Sequence, residues 1–287
     1  MNELSQTSRA LDRIVSTIGD LPASPAIVAS LMNLTADINV DIEKIGQTIS
    51  ADQALTARLL KLSNSSFYGR AKEVTSLREA VVLLGFKTVR SLAVAASTHS
   101  LYHKGEDNYF AARLWEHSLA TAICARHTAQ ITGHSLYEEA FIAGLMHDIG
   151  KMVFNQQATD QYGEIISRVE AERLSFIDLE DEILGFNHTD VGMLLLHKWS
   201  FPALLSGAVF EHHGPIVEED IIIPLSVVVN AANYIAKHFA EGFNDYSVED
   251  LLSLPSSRCL KLNEETLQTI LDRSRNQFEE EKSLFKN

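Results

Sequence analysis

Cysteine is nearly absent from the chain: only Cys124 and Cys259 occur, far apart in 287 residues. Their number and separation exclude a disulfide framework and a CxxC centre, and a reducing compartment is the expectation. Long apolar runs are missing too. The most apolar stretch, Ile221 to Val229, is short and broken by Pro224, well under the roughly 18 residues that a membrane-spanning helix needs. The opening residues MNELSQTSRALDRIV carry Glu3 and Asp12 and have no basic start ahead of an apolar core, so no leader is expected and the chain reads as soluble and cytoplasmic. Positive charge is scarce as well. With 24 Lys and Arg against 38 Asp and Glu, a net charge of -14 excludes nucleic-acid binding by bulk electrostatics, while leaving room for a local basic pocket.

Proline and glycine are few, 6 and 14, and they punctuate runs with apolar residues at i, i+3 and i+4. That pattern predicts helices and leaves strands hard to find. Ser24 and Pro25 read as a cap and first turn ahead of Ile27, Val28, Leu31 and Leu34. Asp41 caps a helix with Ile42, Ile45 and Ile49, and Asp52 one with Leu55, Leu59 and Leu62. Ser76 to Glu79 forms a capping box for a helix that stops at Gly85, followed by another from about Lys87 to His103. The segment Ser76 to Val94 has a helix-turn-helix outline, but its second helix turns apolar after Lys87 and Arg90, so no nucleic-acid partner is expected. Further helices are expected over Phe110 to Thr132, Tyr137 to Phe154, Tyr162 to Arg173, Asp178 to Leu184, Thr189 to Trp199, Pro202 to His212 and Pro224 to Phe239. Ser247 and Asn263 cap later ones.

A polar loop, Lys104 to Asn108, marks a boundary, because no histidine precedes His99 and most follow it. The expected fold is all-α: a two-lobed helical bundle with an N-terminal lobe over 1–105, a second lobe over 106–240 and a helical extension over 241–287. Glu164 to Asp190, with eight acidic and two basic residues, reads as a solvated face.

Five histidines and one aspartate fall where helices start, end or face one another: His117, His147 with Asp148, His188, and His212 with His213. Neutral imidazoles and a carboxylate are the ligand set of borderline divalent metals. Neighbouring side chains at a helix end diverge by about 100 degrees, so one ion can meet both members of the His147-Asp148 doublet, or the carboxylate can bridge two. Gly150 is read as a turn, and Lys151 puts an ammonium where a phosphate would need it. Plainer readings compete: a core histidine at 147, a helix-surface residue at 117, a helix N-terminal residue at 188, a snorkelling Lys151, and a 212–213 pair pointing apart with one member structural. Cys124, on nearly the same helix face as His117, is read as an apolar core residue.

HDIGK at 147–151, with LWEHSLATA before it and NHTDVGMLLLHKW and EHHGP after it, resembles the HD superfamily of metal-dependent phosphohydrolases. LPASPAIVASLMNL, ISADQALTARLLKLSNSSFYG and VTSLREAVVLLGFKTVRSLAV make the HDOD branch, the HD-related output domains of bacterial signalling, the nearest pattern. The resemblance covers about residues 15 to 240. The Gly-Tyr-Pro of the HD-GYP branch is absent, since the chain reads HHGPIVEEDI.

The resemblance implies a first metal site of His117, His147 and Asp148, and a second of Asp148, His188, His212 and His213. Asn233 stands where the HD pattern would place the first site's last carboxylate. It implies one or two divalent ions (iron, manganese or zinc, with nickel also compatible), catalytic roles for Asp148 and Lys151 if the site is active, and signalling proteins as partners. The expected function is an output module acting through protein contacts. The alternative is a phosphohydrolase on a nucleotide or cyclic nucleotide, its phosphate held by Lys151. A first site short of a carboxylate would hold less positive charge to acidify its water.

Overall fold

The computed structural model describes residues 25–35, 42–68, 74–102, 109–217, 222–240 and 246–285. Among these residues there are α-helices and one 3₁₀ turn, and no strand. The N-terminal part runs through α1 (Ala26–Thr35), α2 (Ile42–Ser50), α3 (Gln53–Ser63), the 3₁₀ turn (Ser66–Tyr68), α4 (Leu77–Leu84) and α5 (Phe86–Tyr102). Asp52 caps α3 by accepting from the Leu55 N–H at 2.9 Å, and Leu55, Leu59 and Leu62 are buried as their spacing predicts. Ser76 caps α4, accepting from Glu79 N–H at 3.2 Å, but the Glu79 carboxylate accepts from Thr75 N–H at 2.8 Å, so the box closes one residue early. Gly85, with φ 82°, ends α4 in a conformation that strains any other residue. The second helix of the helix-turn-helix outline buries Val89 to Ala96, which leaves it no face for a groove. The expected caps Ser24 and Asp41, His103 and the boundary loop lie outside the described residues.

The second part is α6 (Tyr109–Ile131), α7 (Tyr137–Met146), α8 (Ile149–Gln157), α9 (Thr159–Glu172), α10 (Phe176–Ile183), α11 (His188–Lys198), α12 (Ala203–Glu211) and α13 (Leu225–Phe239). Helix α6 is the axle. It is buried on every face from His117 to Ala129, because α7 packs along it most extensively and α13 and the last helix cover its other sides. The α6–α7 approach depends on Gly144, where a Cβ would come within 2.9 Å of the Thr121 carbonyl oxygen.

Two sequence expectations fail here. The helix expected over Tyr137 to Phe154 is broken at His147 and Asp148 into α7 and α8. The His147 ring donates from Nδ1 to the Gly144 carbonyl at 2.7 Å, satisfying an end carbonyl of α7. Gly150 is not a turn but the second residue of α8. A Cβ there would lie 2.1 Å from the His188 carbonyl oxygen, so this glycine lets α8 cross the start of α11.

The chain ends in α14 (Val248–Ser253), α15 (Pro255–Cys259) and α16 (Glu264–Phe285). Ser247 caps α14 and Asn263 caps α16. Helix α16 lays Leu267, Ile270, Leu271, Phe278 and Phe285 against α6 and α3; each such side chain contributes roughly 1.5–3 kcal/mol.

Where α3, α5, α6, α7 and α16 converge lies a buried polar junction. Arg126 of α6 donates to Glu138 of α7 and to the Tyr68 hydroxyl, both at 2.9 Å, with its guanidinium 3.9 Å from the Phe141 ring centroid. Thr88 of α5 donates to the other Glu138 oxygen at 3.1 Å. Beside it, His127 donates to Gln277 at 2.9 Å and Gln277 to Glu281 at 2.7 Å. Burial pushes the Glu281 carboxyl up to about 7.

Candidate metal centre

All six predicted metal ligands meet at the far end of the α6–α7 pair, with Lys151 beside them. Asp148, buried in the break between α7 and α8, is their hub, and its two oxygens face different groups. Oδ1 lies 3.3 Å from His188 Nε2 and 3.9 Å from His212 Nε2. Oδ2 lies 3.2 Å from His147 Nε2, 3.8 Å from His117 Nε2 and 2.8 Å from the Lys151 ammonium. The ligand atoms of Asp148, His188, His212 and His213 all fall within 4.8 Å of one another, as do those of His117, His147 and Asp148. His212 and His213 do not point apart: α12 ends at Glu211, and beyond it the two rings stand with centroids 4.1 Å apart on the same cluster.

The ring tautomers follow from what lies behind each ring. His147 Nδ1 meets the Gly144 carbonyl and His212 Nδ1 the Val209 carbonyl, both at 2.7 Å, and His188 Nδ1 meets the Glu180 carboxylate at 2.6 Å. Each partner only accepts, so each Nδ1 carries a proton, and in the neutral ring each Nε2 presents a lone pair to Asp148. These three Nε2 atoms and Asp148 Oδ1 are buried with no hydrogen-bond partner. Converging acceptors at such separations repel unless a cation sits among them, so the donor set fits a divalent metal.

Charge agrees with this. Burial and neighbouring histidines hold His212 well below the ordinary imidazole range, and burial with the charges of His188 and Lys151 lowers His213. Burial alone would raise the Asp148 carboxyl, but His147 and Lys151 overcome it and hold it well below the usual carboxylate range. The cluster thus sets an ionised Asp148 beside His212 and His213, both held toward their neutral forms.

The two sides of Asp148 differ. On the Oδ2 side, His117 Nε2 is hydrogen-bonded to Asn233 Oδ1 at 3.0 Å, and Asn233 is buried at the position expected for the missing carboxylate. The side chain of Lys151 is in a second contact, its ammonium 4.7 Å from the Phe176 ring centroid. Asn230 donates to the His212 carbonyl at 2.9 Å and fixes the chain after α12.

Sequence reasoning missed Glu180. The acidic stretch over 164–190 was read as a solvated face, yet Glu180 is fully buried, accepting from both the backbone N–H and ring of His188 and from the Tyr162 hydroxyl at 3.0 Å. The signal was its register: Glu180 interrupts the stripe Phe176, Leu179, Ile183 that α10 turns inward. Cys124 is a core residue whose thiol burial pushes up to about 12, too high for a nucleophile. His99, His127, His134, His197 and His238 all have ring or hydrogen-bond partners away from the site.

Residues 21–215 match the family model of the HDOD domain. An uncharacterized protein of Treponema pallidum (strain Nichols) is 26% identical over 275 residues, an alignment that takes in 92% of this chain and 52% of that protein, so the chain spans about half the length of this curated relative. The crystal structure of an HDOD domain protein from Geobacter sulfurreducens, 25% identical, superposes with a TM-score of 0.81 and covers 99% of both chains. A protein of Shewanella amazonensis SB2B, provisionally described as a phosphohydrolase, shares the fold at a TM-score of 0.78 and 24% identity, over 95% of this chain and 98% of that one.

Proposed function

Because the chain belongs to the HDOD domain family, we propose that it is a signalling output module whose Asp148-centred site holds a divalent metal and whose output passes through contacts with other signalling proteins. The observation that carries this reading is the His117–Asn233 hydrogen bond. It occupies the imidazole nitrogen that would ligate a first metal, and it puts a neutral amide where a carboxylate would bring charge. The side formed by Asp148 Oδ1, His188, His212 and His213 keeps its lone pairs and is the better metal side. Iron, manganese, zinc and nickel all accept this mixed imidazole and carboxylate set. Such an ion would supply positive charge that polarises an oxygen of a bound ligand. The chain's own residues do the rest: Glu180, Gly144 and Val209 orient the rings, and Lys151 offers an ammonium to an anionic group.

The route outward follows the α6–α7 pair. His117 and Arg126 are nine residues apart on α6, as are Glu138 and His147 across α7 and its cap, a distance of about 13.5 Å along a helix. What binds at Asp148 therefore bears on two close-packed helices whose other ends are tied to Tyr68 and Thr88 of the N-terminal part. In this reading the chain divides into 1–105, 106–240 and 241–287 and works in the cytoplasm. Both cysteines are free and buried, and no helix among the described residues is long and apolar enough to cross a membrane.

The alternative, a metal-dependent phosphohydrolase on a nucleotide or cyclic nucleotide, is favoured by the Lys151 ammonium beside Asp148. Turnover separates the two. Protein loaded with manganese, iron or zinc should leave phosphomonoesters, nucleotides and cyclic dinucleotides essentially unhydrolysed. Robust hydrolysis that Asp148→Ala abolishes would make the enzyme reading the correct one.

A further inference from the structure

The buried face of α16 changes character halfway along. Leu267, Ile270 and Leu271 make its first half apolar, whereas the second half buries Ser274, Gln277 and Glu281 among Phe278 and Phe285. Glu281 is the costly member of this seam. Its carboxyl, 1 % exposed, accepts from the Gln277 amide at 2.7 Å, and among the described residues no lysine, arginine or histidine lies within ion-pair distance of it. Gln277 in turn accepts from His127 Nε2 at 2.9 Å, so α6 reaches the carboxyl through that amide.

The far end of the helix is fastened by contacts of another kind. Phe285 stacks on the His99 ring of α5, with centroids 5.3 Å apart, and meets Trp115 of α6 edge-on at 5.2 Å. The Lys282 ammonium lies 2.7 Å from Glu116, the residue before His117. The second half of α16 therefore lies along α6 from His127, beside the Arg126 junction, to Trp115, at the edge of the candidate metal centre, about 18 Å of helix.

We infer that the half of α16 from Ser274 to Phe285 is a releasable strap, which lifts from α6 when Glu281 ionises and closes when it is protonated, while the half from Glu264 to Arg273 stays docked. The cause is solvation. A carboxylate calls for several donors, and the seam supplies one where water would supply them all. Burial holds the docked carboxyl up at about 7 against an ordinary 4.5, which sets the change across neutral pH. The charges around it do not reverse this. Arg126 of α6 favours the ionised form but is already matched to Glu138 of α7 and to Tyr68 of the 3₁₀ turn, while Glu138 and Glu280 oppose it. His127 is held down to about 4 by burial and stays neutral. The other helices on α16 add no charge: α3 buries Leu55, Leu59, Leu62 and Ser63, α14 buries Leu251, and α13 meets Phe278 through Phe239. The strap stands whether or not a metal binds at Asp148.

Hydrogen exchange of the full chain between pH 5 and pH 8, expressed as protection relative to the intrinsic rate, tests this. The opening constant of the second half should rise about 50–100-fold over that range, the factor that carboxyl values of about 7 closed and 4.5 open require. Amides of the first half should keep their protection. Glu281→Gln retains an acceptor for the Gln277 amide and should abolish the pH dependence. Phe285→Ala removes the anchor on His99 and Trp115, and should speed opening of the second half about tenfold or more at every pH without loosening the first. Equal protection of the two halves throughout, a pH dependence that survives Glu281→Gln, or a frayed end indifferent to pH would overturn the proposal. So would a Phe285→Ala chain in which both halves loosen together.

Discussion

The α6–α7 pair carries a buried polar cluster at each end, and the two are built on opposite principles. At the junction, both Glu138 oxygens and both terminal nitrogens of Arg126 are matched to partners, and only the separate atoms Arg126 Nε and His127 Nδ1 are left over, aimed at no common point. At the centre, three imidazole nitrogens and a carboxylate oxygen are buried without hydrogen-bond partners and aimed at one another. Paired charges hold a structure in one arrangement, whereas converging lone pairs wait for a cation. The difference teaches how a binding function can be read from burial: the informative atoms are the ones the fold orients but does not satisfy.

The largest effect should come from breaking the matched end. Arg126→Met leaves Glu138 as a buried carboxylate without its cation, a defect that costs about 3–5 kcal/mol. Denaturant unfolding should show that loss equally with and without metal. A loss that vanishes when metal is added would mean that the junction and the centre are not the separate devices described above.

His212→Ala attacks the other end, and its effect should depend on metal. The parent gains about 2.7 kcal/mol when a metal is present at a hundredfold over its dissociation constant, and the variant should gain little of this in thermal melts. Glu180→Gln sharpens the point, because it leaves the ligands in place while changing the acceptor behind His188. Metal affinity should fall by about tenfold to a hundredfold, with no loss of helix by circular dichroism.

These two variants also mark what the sequence could reveal. The histidines, Asp148 and Asn233 were legible because the motifs that hold them follow one another in the order of the family the chain resembles, and the helices because their apolar spacing is regular and their caps are Asp52, Ser76, Ser247 and Asn263. The helix break at His147 was not, since apolar periodicity runs through it from Phe141 to Phe154 and only the ring's bond to Gly144 ends α7. Gly150 was found for the wrong reason: a pattern marks a glycine, and only the crossing of α8 over His188 says why. Glu180 and the Arg126 junction depend on contacts between residues distant in sequence, and a buried carboxylate in an acidic stretch has the same letters as a solvated one.

A pH series separates the two ends by sign. Glu281 beside the junction has a folded pKa of about 7, above its ordinary 4.5. A carboxyl raised in this way favours the folded state when protonated, so its penalty is absent below 4.5 and complete above 7; stability from this group falls as pH rises through that window. At the centre the lowered values of His117, His212 and His213 act the other way, removing stability as pH falls below 6.5. Glu281→Gln keeps the acceptor for Gln277 and abolishes the titration. Relative to the parent it should gain stability on going from pH 5 to pH 8, by up to about 3 kcal/mol. A constant difference across that range would place Glu281 in the ordinary carboxylate range.

The smallest change in stability should accompany the change that most nearly makes the two sides of Asp148 alike. Asn233→Asp keeps the size of the side chain and leaves an oxygen where it can accept from His117 Nε2, while Lys237 one turn away offsets part of the new charge. The cost of burying that carboxylate and the gain from a charged hydrogen bond are both in the range of about 1–3 kcal/mol and oppose one another, so the metal-free variant should melt close to the parent. Its metal count should not stay the same. A second equivalent of manganese, bound more weakly than the first, would show that the missing carboxylate is what closes the Oδ2 side to metal. If the count remains one, the Lys151 ammonium beside Asp148 is sufficient to keep the ion out, and the double variant Asn233→Asp with Lys151→Met should then admit it.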